Sequence, residues 1–424
     1  MRAPRRSTDQ SDRSRRASGW SGTFSALRYR NYRLLWFGTI FMSAGTWIQQ
    51  VTLGWLAYEM TGSPVQVSVV LGLRALPMLG APIAGVVADK FDRRVVLLLD
   101  QAYLAFLAGS FALILQIGLL ELWHLHAFSF LTGAGWALNN PLRQTLVGNS
   151  VPRDRLMNAI ALNSMAFNSM RMIGPGIAGG MIALLGPEVN FLLQAVMYII
   201  VVFLVLPFRA EFAEGREGRK VQSPFADLKE GLAYVVRQPA TRYAILLSVV
   251  PTLTLMAFIQ TQMPVFVAED LNDSEGALLG FMYVGMGVGG FLGAVLVARF
   301  HAIEHKGRLS LVGVAGAALA VLALSQVDVW WQAWTILVAQ QLFFIMVMTT
   351  NNTILQSVTP DYMRGRVMGI YMLDVGMQPL GGVAAGLLAE GYGVSTAWVV
   401  GGSVGLTLVT LIALTAPSFR RLRL

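Results

Sequence analysis

Apolar residues in this chain gather in long continuous runs, without the period-two alternation of half-buried strands. Twelve runs are legible, at residues 32–58, 64–88, 94–118, 122–146, 157–185, 188–208, 240–268, 276–300, 308–327, 330–357, 363–389 and 393–416. A helix needs about 20 apolar residues to cross a hydrocarbon core about 30 Å thick, and each run has that length. In lipid, only helices and closed barrels satisfy every backbone group, and barrel strands alternate. The expected fold class is therefore all-α integral membrane, with twelve transmembrane helices.

The stretches between the runs divide the chain. Residues 1–22 are rich in Arg and Ser and read as a disordered basic tail near anionic lipid. They lack the short apolar core and small-residue cleavage site of a signal peptide. A surface helix is expected over Phe24 to Arg33. A first half of six helices then covers 23–208, a linker 209–239, a second half 240–417 and a short tail 418–424. Within the linker, Pro224 to Arg237 places Phe225, Leu228, Leu232, Val235 and Val236 on one side, which predicts an amphipathic surface helix. About 30 linker residues cannot bury the core of an independent domain. At an offset of 208, Gly85 meets Gly293, Pro152 meets Pro360 and Gly174 meets Gly382, a weak sign of an internal repeat.

Composition agrees with a membrane chain. Hydrophobic residues make up 55%, charged ones only 13%, and the mean hydropathy is +0.58. A soluble domain carries about 25% charged residues. Of the 32 Lys and Arg, only Arg74 and Arg171 fall deep within the runs. The others gather in the tails and in the loops after even-numbered runs, with Arg143 at a run's end. The opposite loops hold Glu59, Glu121, Glu188, Glu269, Asp270, Asp273, Glu275, Asp328 and Glu390 and no cation. This asymmetry predicts cytoplasmic termini and an even helix count. The net charge of +9 thus reports topology. It does not call for a nucleic-acid partner, which would need a basic face on a soluble domain.

Covalent chemistry finds little support. The chain has no Cys, and its four His are scattered at helix ends or in loops. No GxxxxGK[ST], HExxH or GxSxG sequence occurs, so neither a cofactor nor a metal is expected. What remains is a path across the membrane. Ionisable groups at depth are costly and mark candidate sites. Arg74, Arg171 and Asp374 lie near mid-run, and Asp100 lies two turns into the third run.

Two motifs carry a resemblance. Gly85 to Arg94 reads GVVADKFDRR. It resembles the loop signature of the major facilitator superfamily, G-x-x-x-D-[RK]-x-G-R-[RK], with Asp92 where the family has glycine. Gly174, Pro175 and Gly179 match the superfamily's antiporter signature, while Met170 and Ala178 replace two of its glycines. The segments VPRDRLMNAIALNS…RMIGP and TPDYMRGRVMGIY look like the bacterial drug and siderophore exporter branch, which includes the enterobactin exporter and macrolide efflux proteins.

The resemblance implies two six-helix halves around a central cavity lined by helices 2, 5 and 11. It implies a secondary transporter in a bacterial cytoplasmic membrane, exporting a small organic molecule in exchange for protons. The gate is expected at Gly85, Asp89, Lys90, Arg93 and Arg94, with Asp89 facing Met363 to Arg366, and the hinge at Gly174, Pro175 and Gly179. The cavity is expected to take polar groups from Gln49, Gln50, Arg74, Asn139, Asn140, Arg171, Gln260, Gln262, Gln340, Gln341 and Gln378. Trp47, Met256 and Phe258 are its expected apolar wall. Arg74 is the expected contact for an anionic substrate group. Asp374 is the expected proton carrier, because arginine does not lose its proton in proteins. Asp100 reads as a structural partner of Arg93, Arg94 or Arg143. Expected partners are substrate, protons and lipid, with no nucleic acid, and the chain is expected to be a monomer. An importer or uniporter, a lipid flippase and a non-transporting sensor are the competing readings.

Overall fold

A computed structural model describes residues 24–80, 91–208, 224–299 and 304–423. The basic tail, Gly85, Asp89 and Lys90 lie outside these residues, as do the side chains of Asn140 and Asp374. No strand occurs among the described residues.

A short 3-10 turn, Ser25–Arg28, stands where the first surface helix was expected. The helices that follow are α1 Arg30–Thr61, α2 Pro64–Leu73, α3 Arg93–Gln116, α4 Leu122–Gly148, α5 Leu156–Leu185 and α6 Pro187–Val205. The linker helix α7 spans Pro224–Arg237. Beyond it come α8 Pro239–Pro251, α9 Ala257–Glu269, α10 Ala277–Arg299, α11 Lys306–Leu324, α12 Trp330–Val358, α13 Asp361–Tyr392, α14 Val394–Thr415 and the short α15 Pro417–Arg420. A π-helical turn, Thr252–Met256, joins α8 to α9, so the two form one 31-residue span. Among the described residues, eight spans are long and apolar enough to cross a membrane. Helices α1, α4 and α5 have the length but more polar residues. The second run is broken: α2 ends at Leu73 and a 3-10 turn follows over Leu76–Gly80.

Local chemistry sets the helix ends. Ser63 caps α2 by accepting from the Gln66 N–H, with Pro64 at the first helical position. Asp92 caps α3 by accepting from the Arg94 N–H at 2.9 Å. The residue that departs from the family's loop signature thus starts a helix. Gly186 and Gly393, at φ 87° and 84°, join α5 to α6 and α13 to α14 at matching places in the two halves.

Packing differs along the membrane normal. Call the side bearing Glu59, Glu121 and Glu390 the acidic end, and the side bearing Arg93, Arg153 and Arg364 the basic end. One apolar core fills the acidic end and draws on both halves, from Ile48, Leu53, Val67 and Phe191 to Phe266, Leu279, Leu337 and Trp398. The basic end holds two separate cores. One belongs to the first half, around Tyr32, Leu35, Leu97, Leu146 and Val205. The other belongs to the second half, around Leu247, Val314, Ile354 and Val367. The linker helix joins the latter through Val235, and Glu230 meets Arg366 at 3.0 Å.

The periphery is apolar and exposed. Leu99, Phe106 and Leu113 on α3 and Leu192, Ile199 and Phe203 on α6 are all more than 40% exposed. An apolar belt of this size would aggregate in water and is what lipid contact requires.

Candidate substrate cavity

A cavity of about 990 Å³, counting the space at its mouth, lies between the halves. The first half contributes Thr46, Trp47, Gln49 and Gln50 from α1, Arg74 after α2, Trp136 from α4 and Phe167 from α5. The second half contributes Gln260 and Thr261 from α9 and Gln378 and Pro379 from α13.

The wall is aromatic with a few polar groups. The Arg74 guanidinium stands 5.3 Å from the Trp136 ring centre. Arg171 stands 5.3 Å from that of Trp47, so it meets the cavity wall through that ring. Trp47 also packs edge-on against Phe167. Its indole N–H is buried with no protein partner. Gln378 donates to the Gln260 side chain, which ties α13 to α9 at the cavity's edge. Among the described lining residues, Arg74 is the one charged group.

The expected residues divide. Gln49, Gln50, Arg74, Gln260, Gln378 and Trp47 line the cavity. Of these, Gln49 is committed: it donates to Thr132 at 2.9 Å and accepts from Gln194 at 2.6 Å. Gln262 is turned away, donating to Ser68 Oγ on α2 at 2.9 Å. Phe258 and Met256 lie in the shared acidic-end core. Asn139 lies inside the first half, bonded to Asp100 and Arg143. Gln340 and Gln341 are buried on α12 away from the cavity. That helix is flanked by α10, whose Gly289 leaves room for the Val338 carbonyl, and by α11, whose Gly313 faces Val347. Trp136 and Phe167 were missed. Their aromatic rings gave no signal in a chain where apolar residues fill both lipid-facing and buried sides.

The expected hinge residues Pro175 and Gly179 lie at a contact between the halves. A Cβ at Gly179 would sit 2.6 Å from Gly280 backbone atoms on α10, and one at Gly280 would sit 2.6 Å from the Pro175 carbonyl. A Cβ at Gly174 would meet Trp47 at 3.0 Å. Helix α5 runs unbroken through Pro175. Of the gate residues, Arg94 bonds the Leu206 carbonyl at the end of α6.

Between described residues, the hydrogen bonds that join the halves are all on the acidic-end side. Tyr58 donates to Glu269 at 2.5 Å. Ser63 donates to Glu390 at 2.5 Å, and the Val65 N–H reaches the same carboxylate at 3.3 Å. Gln262 to Ser68 is the deepest of them.

A largely apolar cavity with a few polar groups, set between two helix bundles in an apolar belt, fits a membrane transporter. The fold agrees. A nucleoside transporter superposes with TM-score 0.73 at 12% identity, covering 90% of this chain and 99% of the other. A bacterial homologue of the human lysosomal transporter Spinster gives 0.65 at 16%, covering 93% and 96%. The chain belongs to the transmembrane secretion effector family of the major facilitator superfamily, whose model matches residues 21–421. It is 26% identical to the staphyloferrin A transporter of Staphylococcus aureus over 82% of this chain and 87% of that one. It is also 26% identical to the multidrug efflux pump Tap of Mycolicibacterium fortuitum, over 92% and 97%. To the enterobactin exporter of Escherichia coli O1:K1 it is 26% identical over 77% and 78%.

Proposed function

We propose that this protein is a secondary active exporter that moves a small anionic organic molecule out of the cell by alternating access, in exchange for protons. The observation that carries the reading is the cavity, which takes residues from both halves, while the described hydrogen bonds between the halves gather at the acidic end. The cations gather at the other end, so the positive-inside rule orients that end toward the cytoplasm, with both termini. In this orientation the cavity faces the compartment from which an exporter loads.

The lining supports an anion. Arg74 supplies a fixed positive charge, the Trp47 N–H and Gln50 supply neutral polar groups, and Trp136 and Phe167 supply flat apolar area. Two relatives are named for siderophores, molecules dense in acceptor oxygens, and such a ligand fits this donor set. The coupling carboxylate in this reading is Asp374, one turn from Gln378 along α13. The gate at the basic end is Gly85 to Arg94.

The test uses proteoliposomes holding the purified chain and an imposed pH gradient, with a panel of anionic, neutral and cationic compounds. Gradient-driven movement of an anionic compound, with KM raised at least tenfold by Arg74→Gln, is expected. Transport of cations alone, or of nothing in the panel, overturns the reading.

A further inference from the structure

Each half contains a buried polar knot at the same place, and the two knots differ in charge. In the first half, Arg143 of α4 donates from Nη1 to the Leu35 carbonyl and to Thr39 Oγ1, both on α1 at 3.1 Å. Its Nε donates to Asn139 Oδ1 at 3.3 Å. Asn139 Nδ2 donates to Asp100 Oδ2 on α3 at 2.8 Å, and Gln101 Nε2 reaches the same oxygen at 3.0 Å. In the second half, Asn351 of α12 stands 208 residues after Arg143. It donates to Ser248 Oγ on α8 at 2.9 Å and accepts from Ser310 Oγ on α11 at 2.6 Å. Ser248 and Ser310 stand 209 and 210 residues after Thr39 and Asp100. The first, third and fourth helices of each half are therefore tied by equivalent residues, with a carboxylate and a guanidinium in one half and only neutral groups in the other.

All of these side chains are buried. Asp100 is 5% exposed and Arg143 4%, while Ser248, Ser310 and Asn351 are at 0%. Burying two charges costs more desolvation than burying hydroxyls and an amide, and a buried ion pair is poor evidence of stabilisation. The second half shows that the tie can be made without charge. The charge in the first half needs another reason.

The charged knot is also incomplete. Asp100 Oδ1 and Gln101 Oε1 are both buried acceptors with no protein partner. A buried, unpaired acceptor is costly. Gly135 of α4 leaves room at Oδ1: a Cβ there would sit 3.1 Å from it. One proton on Oδ1 converts one of the two unpaired acceptors into a donor.

We propose that Asp100 is a protonation site of the transport cycle, in the half opposite to Asp374. Oδ1 takes a proton from water, forming an O–H bond, and the carboxylate becomes a neutral acid. Arg143 keeps its charge throughout, so the pair passes from neutral to singly positive. Release of the proton restores the carboxylate. The groups around the site are few. Helix α4 supplies Arg143, and α1 supplies only the Leu35 carbonyl and Thr39. Helix α6, packed on α3, carries Tyr198, which accepts from Gln194, and has no charged residue after Glu188. On α3 itself, Tyr103 donates to the Leu131 carbonyl, and Arg93 and Arg94 stand at its start. The proposal rests on the proton-coupled reading but not on the identity of the cargo.

Infrared difference spectra of the full chain in lipid, taken across pH, test it. The carboxylic-acid C=O band of the wild type is expected to fade as pH rises. One component is expected to be missing in Asp100→Asn and retained in Asp374→Asn. Wild-type and Asp100→Asn spectra that agree overturn the proposal while leaving export untouched. If Asp100→Asn does not fold, the double variant Asp100→Ser with Arg143→Asn, which copies the second half's knot, decides. A folded double variant lacking the band supports the proposal. A double variant that also fails to fold shows that the charge is structural, and overturns it.

Discussion

The two ends of the molecule are built differently. At the acidic end, side chains from both halves share one core, and glycines bring helix backbones together across the junction. At the basic end, each half keeps its own core. The cross-junction contacts at the acidic end are Gly179 on Gly280, Gly386 against Ser68 and Pro64, and Gly54 against Pro264. At these glycines the helix backbones approach closely within the shared core. The hydrogen bonds to Glu269 and Glu390 at its rim are exposed and exchange readily for water, whereas the bond from Gln262 to Ser68 is buried.

The difference between the ends can be broken at several places, in falling order of effect. Because the chain has no Cys, one introduced at Leu53 is its only thiol and reports entry from the acidic side. Gly280→Leu should be the most damaging change. It overpacks the junction by about 1–3 kcal/mol, enough for about a tenfold to hundredfold shift toward an open acidic end. Labelling of Leu53→Cys by an impermeant thiol reagent should accelerate by that factor; an unchanged rate refutes the idea of a tight glycine seam.

Ser68→Ala removes one acceptor for the buried Gln262 amide, whose other bond is to Thr261 at 3.1 Å. A loss of about 1 kcal/mol, or about fivefold in the same labelling rate, is expected. At the exposed rim, Tyr58→Phe should shift the rate by less than about fivefold, because exposed polar contacts are worth under about 1 kcal/mol. A large effect there would place the seal at the rim instead of at the glycines.

The smallest expected effect is one of pH. Burial, and secondly the charge of Glu269, hold the Asp270 carboxyl above its ordinary pKa. The folded state therefore binds this proton more tightly than the unfolded chain. Stability should fall slightly as pH rises from the ordinary carboxylate value through the raised one. Asp270→Asn should flatten that slope in melting curves, and an unaltered slope would remove Asp270 from the account.

The helix ends were legible because they follow chemistry that sequence displays directly. The eleventh run was read as 363–389 and forms Asp361–Tyr392; the tenth was read as 330–357 and forms Trp330–Val358. The linker helix falls where its amphipathic stripe put it. The break after Leu73 was not legible, since the apolar run continues through it. Faces were harder than ends. In lipid, both the buried and the outward sides of a helix are apolar, so periodicity carries little phase information. Gln50 and Gln260 line the cavity, whereas Gln340 and Gln341, with the same side chain, are buried on α12. What separates them is where neighbouring glycines let helices approach, a three-dimensional fact. Asp100 was expected to meet an arginine, and it does so indirectly, with Asn139 set between it and Arg143.

The helices are unequal in length, and this bears on the lipid around them. Helices α6 and α11 have 19 residues each, whereas α1 and α13 have 32. At 1.5 Å per residue the short pair spans about 28 Å and the long pair about 48 Å. A hydrocarbon layer about 30 Å thick suits the short helices upright and obliges the long ones to tilt or protrude. The long helices carry the cavity, so their tilt sets how far the two halves splay. A thicker bilayer strains the short helices and lets the long ones stand straighter. A change in bilayer thickness therefore falls first on this difference in helix length, at the lipid-facing periphery and not at the residues that line the cavity.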